Sequence, residues 1–343
     1  MRSPSRNQLI WGAAAGAGAL AAGALTQWRF SRSIAKDPAG QELQDPPSGA
    51  PIEVISADGT RLHAERFGPS DGLPVVLAHG WTENLTYWIH VIRELSGRGL
   101  QVVAYDLRGH GRSAGSGDYA IARFGQDLEA VLEAVVPDGQ RALIAGHSLG
   151  GMSIAAWAQD HDVERRVGAV ALLNTGVGEL ITESLILPVP ALARAINESV
   201  AVHGFLGSRA PLPRFSSPIS HAIIRWVAFG PTASPAQIAF YERMLLAMPP
   251  TARADVGIAI SEIDLYDALP RLTVPAIVVA GESDRLTPPS HAKRIAEMLP
   301  QLERLIILPK TGHMGPLERP REVNQALLEL VDRMRSTAAA ALS

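Results

Sequence analysis

The chain contains no cysteine, which excludes disulfides, thiolate nucleophiles, thiolate metal sites and lipid-modified cysteine anchors. The redox compartment is therefore not written in the sequence. Charge of one sign is also scarce, since 31 basic residues face 34 acidic ones for a formal net charge of −3. No Lys/Arg block beyond the N-terminus is present to follow a phosphate backbone, and nucleic acid is not expected as a partner. The ten histidines show neither H-x-x-x-H nor H-x-H spacing, so the sequence calls for no metal and no cofactor. Internal repeats with a period of roughly 20 to 50 residues are missing too.

What is present is enough apolar material for a large core, 47% hydrophobic residues in a chain of 343. Length alone allows one large domain or two smaller ones. At the N-terminus, Arg2 and Arg6 precede Leu9 to Leu25, an uncharged Ala/Gly-rich stretch of roughly 17 residues, near the lower limit for spanning a bilayer. A positive start, an apolar stretch and small-residue steps also describe an export signal. Export or membrane anchoring through this run is the expectation, with a cytoplasmic extension as the alternative. Arg29, Arg32 and Lys36 follow the run, which leaves an anchor without the charge asymmetry that would orient it. Lys36 to Pro51 reads as a polar, Pro-rich linker, and the folded core is expected from Ile52.

From Ile52 two alternating runs meet at Asp58-Gly59, the chemistry of a tight hairpin. Short, continuously apolar runs follow, ending at Gly80, Asp106, Ser148, Thr175, Asp284 and Pro309. Such runs suit strands buried on both faces, and helical patterns separate most of them. In the stretch from Ala122 to Val136, for example, Phe124, Leu128, Val131, Leu132 and Val135 recur at helical spacing. Strand and helix in alternation predict an α/β fold, a mostly parallel sheet with helices on both faces. The rhythm breaks from about Gly176 to Leu272, where Pro-separated amphipathic pieces replace strands. So long an interval predicts a helical cap at 177–272, inserted into a core of 52–176 and 273–336 with a short tail beyond.

Within this pattern Ser148 lies between Gly146 and Gly150 in G-x-S-x-G, where a strand should turn sharply into a helix. Glycines on either side suit a turn too tight for side chains. A serine hydroxyl there needs a base and a group to orient that base. His313, in the loop after the last predicted strand, and Asp284, at the end of the preceding one, follow in the order nucleophile, acid, base. Glu282 is a second candidate for the acid, but from within a strand it points less freely into the loop. Oxyanion donors are expected from the backbone N–H groups of Leu149 and Trp81.

These residues resemble the α/β-hydrolase superfamily, in particular cap-bearing serine esterases and lipase-like hydrolases. The likeness rests on His79 to Trp81, Asp106 to Ser113, Gly146 to Gly151, Gly281 to Pro288 and Gly312 to Met314, and spans roughly Ile52 to Met334. It implies an eight-stranded sheet with a lid between the sixth and seventh strands. Dehalogenases and epoxide hydrolases with a similar Asp106 to Ser113 segment carry aspartate where this chain has Ser148. Some relatives take their acid from the end of the sixth strand, where this chain has Asn174.

A small-molecule carboxylic ester with an apolar acyl or alcohol part is the expected substrate, because the cap is rich in Leu, Ile, Pro and aromatics. Amide, thioester or carbon–carbon bond hydrolysis and perhydrolysis fit the same constellation, and a non-catalytic binding protein is the alternative from another class. An amine-holding acid for peptide substrates would come from Glu179, Glu183, Glu198 or Glu242. Asp106, Arg108 and His110 read as a structural turn, His79 and His147 as packing residues. Trp81, Tyr87, Trp88, Trp226, Phe229 and Tyr241 read as core before pocket. Oligomeric state and chain-length preference have no signature here.

Overall fold

The computed structural model describes residues 23–184, 204, 206–213 and 215–341. Most of the apolar N-terminal run and Glu198 lie outside the described residues. One eight-stranded sheet organises the chain, comprising β1 (Ala50–Ile55), β2 (Arg61–Phe67), β3 (Pro74–Ala78), β4 (Gln101–Tyr105), β5 (Ala142–His147), β6 (Val167–Leu173), β7 (Ala276–Gly281) and β8 (Leu302–Leu308). Their order across the sheet is β1-β2-β4-β3-β5-β6-β7-β8. β1 and β2 form the antiparallel hairpin, with Gly59 at φ 85° in its turn, and β2 joins β4 antiparallel. From β4 to β8 all pairing is parallel.

The continuous apolar runs are explained by the two faces. Side chains alternate across a strand, so Val76, Ala78, Ile144, Val170, Leu172 and Val278 enter one core, while Val75, Leu77, Leu143, Ala145, Ala171 and Val279 enter the other. The first core is closed by α4 (Ile121–Val135) and α5 (Leu149–Asp160), through Phe124, Leu128 and Trp157. The second is closed by α3 (Ile89–Gly97) and α13 (Pro320–Ala341), through Val91, Leu95, Val323 and Leu327. Both faces being covered, the strands need apolar residues at every position.

Residues 23–35 are helical and form α1. The stretch read as a linker is held rather than loose. It contains α2 (Ala39–Glu42), buries Leu43, and is gripped by the Arg93 guanidinium, which donates to the carbonyls of Gln44 (2.8 Å) and Asp45 (2.9 Å). Ordered structure therefore starts well before Ile52, and the expected C-terminal tail is helical through Ala341. Among the described residues no helix is long and apolar enough to cross a membrane.

A short α6 (Val163–Arg166) leads into β6. Between β6 and β7 the described residues form helices and loops, among them α7 (Leu180–Glu183), α8 (Pro218–Ala228), α9 (Pro235–Ala247) and α10 (Pro250–Ser261). Ser217 and Ser234 each cap the following helix through a reciprocal capping box with Pro at the first position, which explains why prolines punctuate this interval without breaking it. Its two ends are tied together where the Leu265 N–H donates to the Val177 carbonyl, 2.7 Å.

Candidate active site

Ser148 joins β5 to α5 with φ 51° and ψ −115°. A non-glycine residue in this region costs about 1–3 kcal/mol and persists only where its surroundings enforce it. Here they do. A Cβ on Gly146 would lie 2.5 Å from the backbone of Gly150, and one on Gly150 would lie 2.0 Å from the Ala78 carbonyl oxygen. The glycines thus let α5 seat directly on the ends of β5 and β3. The Ser148 N–H donates to the Leu173 carbonyl (3.0 Å), and its own carbonyl accepts from Gly151 N–H (2.9 Å) and the Thr175 hydroxyl (2.7 Å). With the backbone bonded on both sides, the half-buried hydroxyl is left as the variable group.

Asp284 and His313 meet two strands away. The His313 Nδ1 lies 2.9 Å from Asp284 Oδ2. That carboxylate also accepts from the Thr287 hydroxyl (2.9 Å), Asn174 Nδ2 (3.1 Å) and the backbone N–H groups of Leu286 and Thr287 (2.9 Å each). Burial raises the Asp284 pKa, but the His313 charge and these donors outweigh it and hold the carboxyl below its ordinary value. For His313, burial disfavours the imidazolium, yet the Asp284 carboxylate prevails and lifts the pKa above the usual value. With Nδ1 committed to the carboxylate, the ring presents Nε2 as its free nitrogen.

Several contacts bring this ring to the serine's neighbourhood. His147, the residue before Ser148, uses Nε2 against the His313 carbonyl at 2.8 Å, and the two rings lie 5.0 Å apart. Asn174, at the end of β6, donates to both Asp284 and the Gly312 carbonyl (3.1 Å). No hydrogen bond joins Ser148 Oγ to His313 among the described residues. Glu282 is turned elsewhere and accepts from the Lys310 N–H at 2.8 Å.

The second oxyanion donor is expected from the loop after β3. His79 accepts the Leu107 N–H on Nε2 (3.0 Å), and its Nδ1 faces the Gly80 carbonyl (2.8 Å). The Trp81 indole donates to the Arg253 carbonyl at 3.1 Å, which ties this loop to α10. Leu149 opens α5, where the N–H groups of the first helical turn lack partners within the helix. A Cβ on Gly150 would also lie 2.9 Å from the His79 carbonyl oxygen, so the start of α5 abuts the loop that carries Trp81.

Two supporting residues, Glu83 and Glu318, had no signal in the sequence. Glu83, buried, accepts from the Gly80 N–H (2.6 Å) and pairs with His147 Nδ1 (3.1 Å), linking the Trp81 loop to the floor beneath His313. Glu318 accepts from the Gly230 and Gly312 N–H groups (2.8 and 2.9 Å), and burial pushes its carboxyl up to about 7. Asn174 stands where a β6 acid would stand. The turn read from Asp106, Arg108 and His110 is structural in geometry: Arg108 is fully buried and bidentate to Asp127 at 2.6 and 2.7 Å.

Of the aromatics, Tyr87, Trp88, Phe229 and Tyr241 are buried, but Trp226 is 53% exposed and belongs to neither core nor pocket. The cap acids are engaged locally. Glu242 accepts from the Ser220 hydroxyl (2.6 Å) and from Ser216, while Glu179 and Glu183 pair with Arg294. A cavity of about 580 Å³ runs from Pro211 and Leu212 past Glu242 and Met248 to Arg253. Of its lining residues, Arg253 accepts from the Trp81 indole through its carbonyl. Among the described residues no group of three or more His, Asp or Glu side chains is arranged to hold a metal ion.

The eight-stranded, mostly parallel sheet with helices on both faces places the chain in the α/β class. Residues 74–320 match the model of the α/β-hydrolase fold family, and the chain belongs to that family. It is 29% identical over 277 residues to the protein named as carbamate hydrolase RutD of Variovorax paradoxus, covering 80% of this chain and 97% of that protein. To a non-heme chloroperoxidase of Streptomyces lividans it is 28% identical, covering 72% and 87% of the two chains. Among solved structures, a thermophilic esterase from Thermogutta terrifontis superposes with a TM-score of 0.65 at 24% identity, covering 83% of this chain and 98% of that one.

Proposed function

We propose that this chain is a serine hydrolase of carboxylic esters with an apolar acyl or alcohol part. The observation that carries the reading is the buried Asp284–His313 pair, 2.9 Å between Oδ2 and Nδ1, held beside the strained turn at Ser148. In this reading the Ser148 Oγ attacks the ester carbonyl carbon while His313 Nε2 takes its proton. Asp284 fixes the Nδ1–H tautomer and stabilises the imidazolium. The N–H groups of Trp81 and Leu149 receive the negative charge on the carbonyl oxygen. Return of the proton to the leaving alkoxide expels the alcohol and leaves an acyl-Ser148. Water then gives a proton to His313 as it adds to the acyl carbon, and His313 returns that proton to Ser148 Oγ as the bond to serine breaks and the acid is released.

The interval 177–272 serves as the cap in this reading, and the Trp81–Arg253 bond is its fastening to the oxyanion loop. A relative from Acinetobacter calcoaceticus named as a bifunctional esterase/perhydrolase, 24% identical over 284 residues, favours a second use of the same intermediate, with peroxide in place of water yielding a peracid. The apolar run at Leu9 to Leu25 is proposed as the segment that exports or anchors the chain.

A fluorophosphonate probe tests the nucleophile: wild-type protein is expected to label and Ser148→Ala to lose the label. Failure of wild-type to label, or undiminished labelling of the variant, overturns the reading. A p-nitrophenyl ester series run beside amino-acyl anilides tests the bond cleaved, with ester turnover expected to dominate.

A further inference from the structure

α8 is apolar on the side that faces water. Its inward residues His221, Ile224 and Ala228 are buried, as a helix packed on a domain requires, but Ile219, Ile223 and Trp226 remain 74%, 53% and 53% exposed. These three recur at i, i+4 and i+7 and so form one stripe. Phe215, just before α8, is 67% exposed. α1 lies alongside: Gln27 Nε2 donates to the Ser216 carbonyl at 3.0 Å, and the Phe30 ring meets His221 edge-on at 5.0 Å. On α1 itself Leu25 and Trp28 are 47% and 54% exposed. Scattered exposed apolar residues are ordinary; a stripe of this kind on adjoining elements marks an interaction surface.

The charges around the stripe choose its partner. Residues 23–36 and α8 contain no Asp or Glu, but they carry Arg29, Arg32, Lys36 and Arg225. The Arg285 guanidinium stacks on the Trp226 ring at 3.9 Å, and that of Arg32 lies 4.9 Å from the Trp28 ring. Exposed Ile and Trp bordered by Arg and Lys, with no acid on either helix, suit the boundary between acyl chains and anionic headgroups. The uncharged run Leu9 to Leu25 leads directly into α1, so the same chain segment joins the run to the stripe. A protein partner would have no need of that continuity. We propose that the exposed stripe of α8, together with Leu25 and Trp28 of α1, docks on the surface of an anionic lipid bilayer.

Docking there brings the candidate site close to the lipid. The far end of α8 is bonded to the loops of the proposed triad, with the His313 N–H donating to the Ala228 carbonyl and Arg285 donating to the Trp226 carbonyl, 2.8 Å each. An 11-residue helix is about 16 Å long, which bounds the separation between Ile219 and that end.

The absence of cysteine makes the test direct. Full-length Ile223→Cys and Ile219→Cys proteins, each labelled with an environment-sensitive fluorophore, are mixed with phosphatidylcholine vesicles with and without phosphatidylglycerol. Glu53→Cys, on β1 at the opposite edge of the sheet, serves as control, and thermal melts confirm that each variant folds. The expected result is a blue shift at positions 219 and 223 but not 53, quenched by nitroxide-bearing lipid and stronger with the anionic lipid at low salt. Labels that stay water-exposed while the protein sediments with vesicles would mean that the N-terminal run alone holds the membrane, and would overturn the proposal. So would an absence of vesicle binding, or a shift that appears without lipid and grows with protein concentration, the mark of a second copy as occupant. None of these readouts depends on hydrolysis.

Discussion

Replacing Asn174 by aspartate changes one atom type at the centre of the candidate site and should be severe for a calculable reason. Asn174 Nδ2 lies 3.1 Å from Asp284 Oδ2 and 3.1 Å from the Gly312 carbonyl oxygen. In Asn174→Asp an oxygen takes that place, and two buried carboxylates confront each other at about 3 Å. At an effective dielectric constant near 20 their repulsion is about 5 kcal/mol, and carboxylates this close do not both ionise. One of them keeps its proton, so its folded pKa rises above the unfolded value. The stability of such a group is present at low pH and lost as pH rises. Asn174→Asp should therefore match wild-type in urea denaturation near pH 4 and fall behind by about 3–5 kcal/mol at pH 8. Its kcat/KM at pH 8 should drop as the proton shared between the carboxylates weakens the hold on His313. Asn174→Ala, which loses the hydrogen bonds without adding charge, should show a loss of about 1–2 kcal/mol with little pH dependence. Equal stability of Asn174→Asp and Asn174→Ala at pH 8, with kcat/KM unchanged, would refute the electrostatic reasoning.

Gly150→Ala gains about 1 kcal/mol of helix propensity, yet its Cβ would meet the Ala78 carbonyl oxygen at 2.0 Å. The clash is between backbones, so thermal melts should show a net loss of about 1–3 kcal/mol, and ester turnover should fall as the Trp81 loop is pushed away; a variant as stable and active as wild-type would contradict this. His313 and Glu318 both have folded pKa values above their ordinary 6.5 and 4.5, so the folded state retains protons that the unfolded chain releases. The share of stability these two groups contribute is lost as pH rises, opposite in sign to that of His79, His90, His110, His221 and His291, whose lowered pKa values favour the fold as pH rises. The melting-temperature advantage of wild-type over Glu318→Gln should therefore shrink from about pH 5 to 8, and the acid limb of kcat/KM should lie above the ordinary imidazole value; an advantage that grows over that range would show the sign to be wrong.

How much of this was legible in the sequence follows from what each residue depends on. Asp58-Gly59, the two-faced strands and the Ser148 turn are local, since each is dictated by backbone conformation or by burial on both faces. Asp284 and His313 were legible because chain order and strand ends fix where they emerge. Glu83 was not. It accepts from Gly80 three residues back and pairs with His147 at the end of the neighbouring β5, and only the packed loop shows that a carboxylate is buried there. The linker was misread for a similar reason: its polar, Pro-rich composition is real, but Arg93 from a distant helix pins its carbonyls. Trp226 was misread in the opposite sense. Helical spacing gives the face on which a residue lies, but which face meets the protein is decided by neighbours such as Phe30 and His221.

The spacing of the sheet explains why Asn174 is central to all of this. Backbone bonds continue the ladder just past the strands, from Ser148 N–H to the Leu173 carbonyl and from Asn174 N–H to the Val279 carbonyl, 3.0 and 2.7 Å. Ser148, Asn174 and the Asp284 loop therefore emerge from consecutive strands, each about 4.8 Å from the next. A hydroxyl and a carboxylate two strands apart, about 10 Å, do not touch. For the proposed triad to act, something the length of an imidazole has to lie between them, and it has to come from outside the two strands. His313 enters from beyond β8, anchored by its own N–H and carbonyl to Ala228 and His147. The middle strand then has one task beneath the ring, which is to fill the gap with a short neutral donor. An amide just past the end of β6 meets that need by donating to Asp284, the proposed acid in the loop after β7, and a carboxylate in its place would compete with it.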